Sequence, residues 1–206
     1  MFGLFRRRRR ARLRAAPFPK AWRGILSKNV PLYERLPPDV RREIEGHVQV
    51  LLAEKHFEGC GGLVLTDEIR VTIAAHAALL LLGREPHYYP GLVSILVYPS
   101  AYRAPVEEHH GGIVTEREDE RLGESWHRGV VVLAWDAVRA GARGAEDGDN
   151  VILHEFAHQL DTEDGAADGV PYLDRRSDYA AWARTLAPEY ERLGARPHES
   201  ALDSYG

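Results

Sequence analysis

His154, Glu155 and His158 are the residues whose types and spacing carry the most chemistry, in the run His154-Glu155-Phe156-Ala157-His158. On a helix, residues four apart stand one turn above each other and about 40° apart around the axis, so both imidazoles reach one ion. Neutral imidazole suits Zn2+, and a glutamate beside the pair can take a proton from a water held at that ion. The chemistry this spacing predicts is metal-assisted hydrolysis of a peptide bond, with Glu155 as general base. The bland alternative is a helix with two surface histidines in an i, i+4 contact.

A catalytic zinc needs a third protein ligand and an open position for water. The metzincin pattern would put glycine three residues past His158 and histidine six past it; Asp161 and Asp164 stand there, which excludes that class. Glu163, Glu189, Glu191 and Glu199 lie downstream without a supporting pattern, and Asp203 is a further carboxylate candidate. Asp161 reads either as an orienter of a ligand histidine or as a helix-end cap.

The elements that position these residues are legible around them. Asp149 or Asn150 caps a helix over 150–160, and Ile152, Phe156 and Leu160 recur at four-residue steps on a face that fixes it to the core. Residues 92–98 and 130–135 are β-rich runs bounded by Pro or Gly, hence strands, the second a candidate edge for an extended substrate. Thr66 with Asp67 and Glu68 starts a core helix that stops at Gly83, and His76 within it reads as a satisfied core histidine. Val40, Ile44, Val48, Leu51 and Leu52 mark another helix, closed by a glycine turn at 59–62. Before it, five prolines between 17 and 38 predict an extended lead-in. Residues 107–124 read as a long hairpin or loop in which His109 and His110 are weak metal candidates. Ser177 opens a helical stretch toward Leu193, interrupted at Pro188. Strands ahead of the last helices favour an α+β fold.

Charge divides the chain. The first 16 residues hold seven arginines, Arg6 to Arg10, Arg12 and Arg14, and no acid. Removing those seven from the 27 basic residues leaves 20 against 31 acidic ones, a balance of −11. An acidic body does not suit direct nucleic-acid binding. The arginine run lacks the apolar core of a signal peptide and reads as a disordered, solvated leader over 1–19, with contact to acidic lipid or nucleic acid as the alternative. The single cysteine, Cys60, and the absence of a spanning stretch predict a cytoplasmic protein without a transmembrane segment.

His154 through Asp161 (HEFAHQLD), then Gly165 and Asp168-Gly169-Val170-Pro171, resemble the Mlc titration factor A family of zinc peptidases. The likeness continues upstream in Val97-Tyr98-Pro99, Gly123-Glu124-Ser125-Trp126, Gly129 and Val131 to Trp135, and spans roughly 20–206 as one peptidase domain. The catalytic part is also similar to the protease domain of anthrax lethal factor. The resemblance implies a zincin-like gluzincin fold with an N-terminal helical part. It implies one Zn2+ per chain on His154 and His158, Glu155 as base, and Tyr205 hydrogen-bonding the oxyanion. In both relatives the third ligand is a glutamate seven residues past that tyrosine. That position would fall beyond Gly206, so the sequence reads as truncated before its last ligand. The expected partner is a peptide or protein substrate, with aminopeptidase and endopeptidase modes both open. The alternative is a module that sequesters a transcriptional repressor with little catalysis.

Overall fold

The computed structural model describes residues 2–110, 113–121, 123–126, 129–143, 150–165, 169–173 and 175–195. Four helices lead: α1 (Phe2–Ala15), α2 (Lys20–Asn29), α3 (Pro31–Arg35) and α4 (Pro38–Glu54). Strand β1 (His56–Gly59), helix α5 (Asp67–Leu79) and strand β2 (Ser94–Tyr98) follow. A hairpin of β3 (Tyr102–His110) and β4 (Ile113–Arg121) comes next, then β5 (Gly123–Trp126) and β6 (Val130–Ala134). The chain closes with α6 (Trp135–Arg143), α7 (Val151–Asp161) and α8 (Arg176–Ala195).

The main sheet has the order β1-β2-β6-β5, parallel from β1 to β6 and antiparallel at β5. This α+β arrangement agrees with the sequence expectation, and two of its strands are the β-rich runs. The parallel pair β1–β2 was not legible, because β1 is four residues long with His56 and Glu58 in it. The acidic stretch is the β3–β4 hairpin, paired from Tyr102 opposite Arg121 to His110 opposite Ile113. Gly129 turns the chain into β6 at φ 78°; a Cβ there would sit 2.5 Å from the Gly91 carbonyl oxygen. Glycine is the residue that permits both the angle and the approach.

Helix α5 starts as expected, Thr66 accepting a hydrogen bond from the Ile69 amide at 3.3 Å. Every residue from Ile69 to Ala78 except Arg70 is buried, and the helix packs against α4, α2 and α7. His76 is a core residue whose Nδ1 lies 2.9 Å from the Thr72 carbonyl.

Three expectations are corrected. Residues 2–15 form a helix rather than a disordered leader. It lies along α4, where the Arg10 guanidinium makes a two-pronged pair with Glu54 (2.9 and 2.7 Å) and Leu13 packs on the core. Residues 20–35 are α2 and α3 rather than extended lead-in, because Pro31 and Pro38 occupy first-turn positions, where a missing N–H is no loss. Helix α8 runs through Pro188 without interruption. No helix among the described residues is long and apolar enough to cross a membrane.

Candidate metal centre

Helix α7 carries the site. Asn150 caps it, its Oδ1 accepting from the Leu153 amide at 3.1 Å while its carbonyl takes the His154 amide at 3.0 Å. Ile152 and Phe156 are fully buried and Leu160 nearly so. That anchored face leaves His154 half-buried and His158 exposed. At the far end the Thr162 hydroxyl donates to the His158 carbonyl at 2.9 Å. Asp161 Oδ1 accepts from the Gly169 amide at 2.6 Å, closing the following loop, while Thr162 holds the C-cap position.

The two imidazoles converge. Nε2 of His154 and Nε2 of His158 are 3.1 Å apart, with ring planes crossing at 86°. Tetrahedral zinc with nitrogen ligands at their usual distance sets two such nitrogens about 3.3 Å apart, so the pair fits a shared ion. Glu155, between them in sequence, is 3% exposed. Among the described residues no cluster of three or more His, Cys, Asp or Glu side chains forms that could hold a metal, so the pair stands without a third ligand there. Tyr205, Glu199 and Asp203 lie outside the described residues, as do the side chains of His109, His110 and Glu189.

Glu163 is explained without a metal. Its Oε2 pairs with Arg84 at 3.0 Å and lies 3.8 Å from His87 Nδ1, and its side chain is 3% exposed. Arg84 also donates to the Tyr172 carbonyl at 3.2 Å. The segment 84–89 is thereby tied to the loop that follows α7.

That segment also supports the helix from below. Tyr88 and Tyr89 are both buried and both left-handed, at φ 61° and 52°. Side chains resist this region, at a cost of order 1–3 kcal/mol each, unless surroundings over-determine it. Here they do. The Tyr89 ring meets Phe156 edge-on at 4.9 Å, and its hydroxyl donates to the Ala77 carbonyl at 2.6 Å. The Tyr88 hydroxyl lies 2.8 Å from His47 Nδ1, and the Arg10 guanidinium covers its ring at 4.5 Å. Lys55, buried enough that its amine is lowered to about 8, donates to the Tyr89 and Leu92 carbonyls, both at 2.7 Å. Arg84, Tyr88 and Tyr89 were missed as site supports; the only local signal is the pair of tyrosines between Pro86 and Pro90.

Strand β6 cannot accept an added strand, because β2 and β5 use both of its edges. Helix α7 lies against β5, β6 and α5. Among the described residues β5 pairs with β6 alone, and the histidine helix packs against β5.

Two histidines meeting at one point on a helix anchored by its apolar face, with a glutamate between them, are the arrangement that metallopeptidases of the HExxH type use. The chain belongs to the glucose-regulated metallo-peptidase M90 family, whose model matches residues 4–206. It is 44% identical over 195 residues to the uncharacterized protein slr2042 of Synechocystis sp., covering 92% of this chain and 71% of that one. It is 29% identical over 167 residues to Mlc titration factor A of Yersinia enterocolitica, covering 80% of this chain and 61% of the relative. The match to Mlc titration factor A of Yersinia pestis is also 29%, over 160 residues, 77% and 58% of the two chains. The chain thus spans about three fifths of the length of these Yersinia proteins. The family match reaches into α1, which agrees with that helix being packed on the fold.

Proposed function

We propose that the protein is a zinc-dependent peptidase of gluzincin type, acting in the cytoplasm on peptide or protein substrates. The observation that carries the reading is the 3.1 Å approach of the two Nε2 atoms beside a buried glutamate. His154 and His158 would hold the ion through those nitrogens. When bound, zinc makes water acidic enough to ionise near neutral pH and polarises a carbonyl. Glu155 accepts the proton of the attacking water on its carboxylate and passes it to the leaving amine nitrogen. Its burial keeps bulk water from competing for that proton. An extended substrate would pair with the outer edge of β5, where main-chain hydrogen bonds orient it past the helix. We assign to Tyr205 the donation of its O–H to the developing oxyanion.

The test is Glu155→Gln, which keeps shape and removes the base. Zinc content should stay at one per chain while peptide hydrolysis falls at least a hundredfold, within the usual range for a general base. Hydrolysis retained by the variant would refute the role of Glu155. A second reading rests on the relatives named Mlc titration factor A: binding of a transcriptional repressor without catalysis. Repressor binding that survives both Glu155→Gln and zinc removal, in a chain without measurable hydrolysis, would favour it.

A further inference from the structure

Helix α1 is held to the body on one side only. Leu13 packs on the core, Arg10 pairs with Glu54, and Arg9 donates to the Ala53 carbonyl. At roughly 100° per residue, Leu4 lies nine positions from Leu13 and therefore on the opposite face. Leu4 and Phe5 are 58% and 65% exposed, large apolar side chains side by side in the first turns. Arg8 and Arg12 follow Leu4 at four-residue steps on the same outward face. Both are exposed, and neither has a carboxylate partner among the described residues. On the flank, Arg6, Arg7 and Arg14 line a cleft of about 450 Å3 with Glu85 and His87.

We propose that α1 docks the protein on an anionic lipid surface. Arginine heads pair with headgroup phosphates while Leu4 and Phe5 enter the boundary with the acyl chains. An interfacial helix combines these two features, a basic face and a few large apolar residues. The rest of the chain balances at −11 once the arginines of α1 are set aside, so the attraction to such a surface is concentrated on this helix and favours docking through it. A nucleic acid would use the arginines but gives no reason for two exposed apolar residues beside them. The docking leaves α7 on the body, so the enzyme would be surface-bound without being anchored.

The test is sedimentation of the full chain with vesicles of phosphatidylglycerol and phosphatidylcholine, against vesicles of phosphatidylcholine alone. Binding should require phosphatidylglycerol and weaken as salt rises. Arg8→Gln with Arg12→Gln should lower the partition coefficient roughly fivefold per arginine. Leu4→Ser with Phe5→Ser should lower it at least as far on the same vesicles. All four side chains are exposed, and circular dichroism of each variant should match the parent. The proposal is overturned if the chain does not sediment with anionic vesicles, or if either double variant binds like the parent. Tighter binding to duplex DNA than to anionic vesicles, unaffected by the Leu4 and Phe5 changes, would overturn it in favour of a nucleic acid.

Discussion

Arg84→Ala isolates what ties the histidine helix to the loop beneath it. The substitution leaves the Glu163 carboxylate, 3% exposed, without its guanidinium partner and with His87 Nδ1 3.8 Å away. Its Oε1 already has no hydrogen-bond partner among the described residues. Removing one member of a buried pair typically costs 3–5 kcal/mol. Arg84 is itself 20% exposed, so water re-solvates part of the site and about 2–4 kcal/mol is the expected loss. Urea unfolding followed by tryptophan fluorescence would measure it, with the slope checked for constancy. Most of the loss is the penalty of a stranded charge rather than of a missing contact. Glu163→Gln in the same chain should therefore recover at least half of it. A loss below about 0.5 kcal/mol, as surface substitutions give, or a double variant no more stable than Arg84→Ala, would refute the reasoning.

Phe156→Ala empties a fully buried site against Tyr89 and should cost about 3–5 kcal/mol while weakening zinc binding, readable by calorimetric titration. Asn150→Ala removes the cap four residues before His154 and should cost about 1 kcal/mol, with faster hydrogen exchange in the first turn of α7. Acid should destabilise the protein from the His47 and His76 sites. Burial holds both below their ordinary value of 6.5, so each is neutral when folded and gains a proton on unfolding. The stability they contribute is present above pH 6.5 and lost as pH falls through it. A thermal midpoint that stays flat from pH 7 to pH 5, or falls no less steeply in His76→Gln, would count against this (about 6.5 being where an unperturbed histidine titrates).

Legibility in the sequence followed the range of the forces involved. Local, periodic features were readable: the Asn150 and Thr66 caps, and the Ile152, Phe156 and Leu160 face of the histidine helix. The strands around 94–98 and 130–134 were readable too, because β-branched runs between breakers carry their own signal. Prolines misled, since Pro31 and Pro38 start helices rather than prolonging a coil, and nothing local distinguishes the two. The arginine run misled for another reason. Its helix is completed by Glu54, Tyr88 and the core beneath Leu13, all far along the chain.

What the sequence alone determined is the chemistry on offer: two histidines four apart, a glutamate between them, and an amphipathic helix to carry them. Tertiary structure decided whether those groups meet and what holds them. It brought two ring nitrogens to 3.1 Å, gave Glu163 to Arg84, and closed β6 on both sides, leaving β5 paired on one side only among the described residues. It also forced Tyr88 and Tyr89 into left-handed backbone beneath Phe156. Spacing along a helix is a local property that sequence encodes directly. Pairing across 79 residues, as between Arg84 and Glu163, exists only once packing has closed the distance and excluded the water that would otherwise solvate both.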